Sequence, residues 1–148
     1  NSAYQAMNNV PFFQHAAFAV VGASSDTTKF GNKVLKCYQH RGFPVVPINK
    51  KTPEIEGLSC VESLTVLSEN LPSGVTNAKD IGVSIITPPG ITPHVIKEGY
   101  ELGYRSFFLQ PGSYTQGIDF DNHCKNLGDD ITIIKSCVLV DLDCGQFH

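Results

Sequence analysis

The chain has 148 residues, 41% of them hydrophobic and 17% charged, with a formal net charge of −3 at pH 7. That length fits one domain able to bury a core without a disulfide or a structural metal. The acidic balance excludes the basic field that nucleic acid requires, and no apolar run approaches the roughly 20 residues of a membrane helix.

Residues 1–14 read as an N-terminal extension, in part vector-derived or a short helix, ahead of a single domain over 15–148. The opening NSAYQAMNNV lacks a basic start and a continuous apolar stretch, so no secretory leader is expected and the cytoplasm is the default. Ala17 to Val21 is a short apolar run closed by Gly22, as suits a strand buried on both faces of a parallel sheet. Phe30, Val34, Leu35 and Tyr38 then recur at helical spacing, with Gly42 as the stop. Pro44 and Pro47 restrict the strand over 43–48, which should sit toward a sheet edge or spare its ends from the ladder.

Leu64, Leu67 and Leu71 predict a short helix within 61–71, and 72–79 a polar loop. Ile81 to Ile86 is the third strand, stopped by Thr87-Pro88-Pro89-Gly90. Thr92 as N-cap and Pro93 at the first helical position open the next helix, which ends near Gly103. Ser106 to Leu109 is the fourth strand. Phe120, Cys124 and Leu127 mark a helix closed by Gly128, and Ile131 to Ile134 the fifth strand. Strands alternating with helices predict an α/β architecture: one Rossmann-like domain, an open parallel β-sheet of about five strands with helices on both faces.

The cysteines, Cys37, Cys60, Cys124, Cys137 and Cys144, are odd in number and irregularly spaced, with no CxxC pair. They read as small buried thiols in a reducing compartment, not as disulfides or metal ligands.

In such a sheet, ligands lie beyond the carboxyl ends of the strands where strand order reverses. Four segments reach that edge. The first runs from Gly22 to Asn32. Gly22 would let a ligand come close, Ser24 and Ser25 supply hydroxyls, and the following helix offers unpaired N–H groups and a positive dipole end. The second, Asn49-Lys50-Lys51, puts two cations where a NAD site needs a carboxylate. It suits a phosphorylated ribose: the 3′-phosphate of coenzyme A or the 2′-phosphate of NADP. The third is Thr87-Pro88-Pro89, whose proline faces would flank an adenine or a pantetheine arm. The fourth runs from Gln110 to Ser113.

These residues resemble the CoA-binding domain family, on Val20-Val21-Gly22-Ala23-Ser24-Ser25-Asp26, Lys29-Phe30-Gly31-Asn32 and Val45-Val46-Pro47-Ile48-Asn49. That family includes small stand-alone proteins and the N-terminal domains of ADP-forming acyl-CoA synthetases, with a more distant version in the succinyl-CoA synthetase alpha subunit. Gly57-Leu58 and Leu109-Gln110-Pro111-Gly112 fall in the order it implies. The resemblance implies a coenzyme A or acyl-CoA ligand. Ser24, Ser25 and their neighbours would hold the diphosphate and Lys50 or Lys51 the phosphorylated adenosine. Thr87 and Pro88 would line the adenine or pantetheine path, and Leu109, Gln110 and Gly112 the far wall. The phosphorylatable histidine of the synthetases has no marked counterpart. In the C-terminal stretch, stand-alone members usually carry an acidic residue at the position where Lys135 stands here.

No GxSxG elbow, HExxH helix or Tyr-x-x-x-Lys pair occurs, so the leading expectation is a binder of a small nucleotide ligand without catalysis of its own. The alternatives are an NADP-binding reductase or redox sensor, and an interaction module with a vestigial nucleotide site. Asp119, Asp121, His123 and Cys124 read as a polar outer helix face rather than a metal site. A homodimer is left open.

Overall fold

The computed structural model describes residues 8–148; the first half of the expected N-terminal extension lies outside them. Ala17–Val21 (β1) is buried along its whole length, which is what an unbroken apolar strand needs at the centre of a parallel sheet. Phe30–His40 (α1) follows, then Val45–Ile48 (β2) and a hairpin of Glu54–Ile55 (β3) and Leu58–Ser59 (β4). Leu64–Glu69 (α2), Ile81–Ile85 (β5), Thr92–Glu101 (α3) and Ser106–Leu109 (β6) come next. Ile118–Leu127 (α4), Thr132–Lys135 (β7) and Val138–Asp141 (α5) complete the order.

The main sheet has five strands in the order β2-β1-β5-β6-β7, every neighbouring pair parallel. Two apolar layers cover it. Leu64 of α2, Ile96 of α3 and Phe120 of α4 pack on one face; Val34, Leu35 and Tyr38 of α1 with Leu139 of α5 pack on the other. The sheet, its parallel sense and helices on both faces are as the alternating pattern predicts. β2 is an edge strand, in keeping with its two prolines, and its outer side is partly closed by a bridge from Ile48 to Val61.

Four features depart from the sequence reading. The domain's packing begins before residue 15: Phe12 and Phe13 are buried, and their ring centroids lie 5.1 and 5.7 Å from that of Phe108. Gly82 in β5 makes room for this, since a Cβ there would stand 2.8 Å from the Phe12 ring. The hairpin is one that no apolar alternation announces; it turns on Glu56 and Gly57, both at positive φ, as a two-residue hairpin turn requires. Ile91, not Thr92, is the N-cap of α3, because Thr92 is buried as the first helical residue with its hydroxyl 2.7 Å from that of Thr87.

The fourth departure concerns the cysteines. Cys37 and Cys144 form a disulfide across a sequence separation of 107, both fully buried, while Cys60, Cys124 and Cys137 are free. Spacing could not reveal this pair. The two meet only because the segment after β7 forms α5 and turns back onto α1, where Arg41 donates to the Leu142 carbonyl at 2.6 Å.

Candidate ligand-binding site

Strand order reverses between β1 and β5, since the chain moves from β1 outward to β2 and then crosses to the other side of β1. A cleft of about 310 Å³ opens there, at the carboxyl ends of the strands. Val21, Ile48 and Leu64, all buried, and half-buried Val95 make its wall apolar; the exposed side chains of Lys50, Glu62, His94 and Glu98 stand at its rim.

Beside the cleft lies the loop between β1 and α1. Gly22 holds φ +95°, and a Cβ on it would stand 2.9 Å from the Ile86 carbonyl oxygen. Gly31 is tighter still: its Cβ would fall 2.0 Å from the Gly22 oxygen. The two glycines thus let α1 start against the end of β1 and the β5 exit. For Gly22 this gives a packing reason beside the expectation that the missing side chain clears a path for ligand.

Within the loop, Asp26 N–H donates to Ser24 Oγ at 3.0 Å, and Asp26 Oδ1 accepts from Thr28 N–H at 2.9 Å and Thr28 Oγ1 at 2.7 Å. The Thr28 hydroxyl, with its backbone N–H, holds the Asp26 carboxyl below its ordinary range. Lys29 is the N-cap of α1 and makes no side-chain cap bond. The first N–H groups of this 11-residue helix are therefore free of a side-chain cap, with Ser25, Thr27, Lys29 and Phe30 exposed around them. Such an end suits an anion.

Both asparagines among the expected site residues are committed to the protein. Asn49 Nδ2 donates to the Ala23 carbonyl at 2.9 Å, while its Oδ1 accepts from the N–H groups of Lys51 and Thr52, each at 2.8 Å. Asn32 Nδ2 donates to the Ser24 carbonyl and to Glu56 Oε2, which ties the loop to the hairpin; its buried Oδ1 has no hydrogen-bond partner. Lys50 lines the cleft; Lys51 is exposed and lies outside its lining.

Thr87 also lines the cleft, whereas Pro89 faces a neighbouring groove and Pro88 serves the turn, its carbonyl accepting from the N–H groups of Ile91 and Thr92. Leu109 is buried in the core. Gln110 is buried too, its Oε1 accepting from Val138 N–H at 3.1 Å and its Nε2 lying 2.9 Å from Cys137 Sγ, so it anchors the start of α5. Gly112 sits at φ +91° in the exposed loop after β6.

Nine cleft residues were not among the expected site residues, of which Val21, Ile48 and Leu64 read from sequence only as parts of strands and a helix. Ile91, His94, Val95 and Glu98 come from α3 and its N-cap, and Glu62 and Ser63 precede α2. The signal available was spacing: Ile91, Val95 and Glu98 recur every three or four residues and so share one side of a helix.

A parallel sheet reversing at a mixed cleft, next to an uncapped helix start, defines a nucleotide-binding domain of the doubly wound class. The chain belongs to the CoA-binding domain family, whose model matches residues 16–143. Among solved structures it is similar to a conserved hypothetical protein from Pyrococcus furiosus, at 30% identity and a TM-score of 0.67, covering 84% of this chain and 97% of that one. A hypothetical protein from Pyrococcus horikoshii shares the fold at 20% identity and a TM-score of 0.68, covering 93% and 87%. So does a dinucleotide-forming acetyl-coenzyme A synthetase of Ca. Korarchaeum cryptofilum, at 23% identity and a TM-score of 0.60, covering 84% of this chain and 27% of that one. No curated protein matches the chain. Family membership supports coenzyme A as the ligand and lends no support to NADP. Among the described residues, no helix is long and apolar enough to cross a membrane.

Proposed function

We propose that the chain binds coenzyme A or one of its thioesters and performs no chemistry on it. In this reading the diphosphate rests on the open start of α1, near Ser24 and Ser25, and the 3′-phosphate faces Lys50. The neutral adenine enters the apolar cleft, because a phosphate placed there would meet the carboxylates of Glu62 and Glu98. The observation that carries the reading is the uncapped α1 beside a Lys50-lined cleft at the strand reversal. Absence of catalysis is supported by the cleft's own hydroxyls, which serve the backbone and each other. Ser63 Oγ accepts from Val66 N–H, and the Thr87 hydroxyl pairs with that of Thr92.

A thermal-shift panel of coenzyme A, dephospho-coenzyme A, NADP and ATP tests this. A ligand specific to the folded state adds about 2.7 kcal/mol at a hundredfold excess over its Kd. Coenzyme A is expected to give the largest shift. A response to NADP but not to coenzyme A would establish the redox reading instead, and no response to any of the four would favour an interaction module.

A further inference from the structure

Among the described residues five large apolar side chains stand exposed, and three of them, Phe30, Ile91 and Ile118, sit at the starts of α1, α3 and α4. Those helices follow β1, β5 and β6, so all three starts crowd the carboxyl edge of the sheet. Ile118 is 73% exposed and Ile91 50%. Isolated exposed apolar residues are ordinary, but a set gathered at one functional edge marks a surface that something apolar covers.

Ile118 borders an open groove between the first turns of α3 and α4, with Pro89 and Pro93 on one side and Ile118 and Phe120 on the other; Asp119 is its single acidic group. The groove continues from the cleft across one turn. Thr87 and Ile91 line the cleft, and Pro89 and Pro93 of the same segment line the groove. Strand order sets the direction of an extended ligand. With the adenosine near Lys50 after β2 and the diphosphate over α1 after β1, the remainder passes over the exits of β5 and then β6, where this groove lies.

We infer that the groove takes the acyl chain of an aliphatic acyl-CoA thioester, an inference that rests on the coenzyme A reading above. Pro89, Pro93, Ile118 and Phe120 offer a carbon chain apolar surface, and the polar groups of Thr115, Gln116 and His123 stand beside it in the same lining. Asp119 repels an acyl group carrying its own carboxylate. The apolar surface thus favours an aliphatic chain, and discrimination against a dicarboxylic thioester rests on Asp119 alone.

The test is calorimetric titration of the chain with coenzyme A, acetyl-CoA, octanoyl-CoA and succinyl-CoA. Octanoyl-CoA is expected to bind about tenfold tighter than coenzyme A, the equivalent of about two fully buried methylene groups. Succinyl-CoA is expected to bind no tighter than acetyl-CoA. Ile118→Ser, at a position exposed enough to leave the fold intact, should erase the octanoyl advantage. Equal affinity for all four ligands, or an octanoyl advantage that survives Ile118→Ser, overturns this inference alone. Failure of all four to bind overturns the coenzyme A reading and this inference with it.

Discussion

Gly31 has almost no room for a side chain, because the atom a methyl would strike is the backbone oxygen of Gly22, which cannot swing aside. Gly31→Ala is therefore expected to cost about 3 kcal/mol, at the upper end of overpacking penalties, and to lower the Tm measurably in a calorimetric scan. An unchanged Tm would mean that the helix can slide off the strand. The two lysines make a second contrast. Lys50→Ala should weaken coenzyme A about fivefold, as for one exposed ion pair, and leave dephospho-coenzyme A nearly unaffected; Lys51→Ala should change neither. Equal losses for both ligands would detach Lys50 from the 3′-phosphate. The sequence could place both lysines at the strand end but not say which one turns inward, because that depends on Asn49 accepting from the Lys51 and Thr52 N–H groups and so shaping the turn. Gly22 was legible as a special position. Its packing against Ile86 was not, since that residue lies far along the chain.

The Cys37–Cys144 bond joins α1 to the segment after α5 and closes a long stretch of chain. Removing it with Cys144→Ser is expected to cost about 2–4 kcal/mol, read as a lower urea midpoint that added reductant does not lower further. A wild-type midpoint indifferent to reductant would show that the bond carries no stability. A second element-level link joins α3 to the turn before β7. There Tyr100 donates its hydroxyl to Asp130, Arg105 pairs with the same carboxylate at 3.0 Å, and the Arg105 guanidinium lies 3.8 Å from the Tyr100 ring centre. The Tyr100 hydroxyl, then Arg105, holds the Asp130 carboxyl below its ordinary range. A lowered folded-state value gives stability that is present above the unfolded carboxylate pKa of about 3.9 and is lost as pH falls through the lower folded one. The Tm gap between wild type and Asp130→Asn should therefore be constant near neutrality and close in acid; a gap widening in acid would reverse the assignment. At this scale the strands and long helices were legible from apolar runs and helical spacing. The hairpin and α5 were not, being too short to show a period and held by docking on α1, as in the bond from Gln39 Nε2 to the Glu56 carbonyl at 2.9 Å.

Across the whole molecule, a net charge of −3 confronts a ligand that is itself a polyanion. Long-range attraction cannot assist, so in the proposed reading binding would rest on local donors and on Lys50, and affinity should fall only modestly between low and physiological salt. A steep salt dependence would point to several further cations. The parallel sheet and its edge strand were legible because alternation and two prolines are local signals that constrain global topology. The cleft was legible only in outline, since α2 and α3 contribute to it from positions that no strand end announces.

The loops around the site are already fastened to one another. Asn49 holds the Ala23 carbonyl, and Asn32 spans from Ser24 to Glu56 of the hairpin. A ligand arriving there finds few freely rotating backbone segments left to freeze, so little of its contact energy is consumed in ordering the protein. Bound and free forms should then superpose closely over these loops, and the association rate should rise in proportion to ligand concentration without the plateau that a slow closing step imposes.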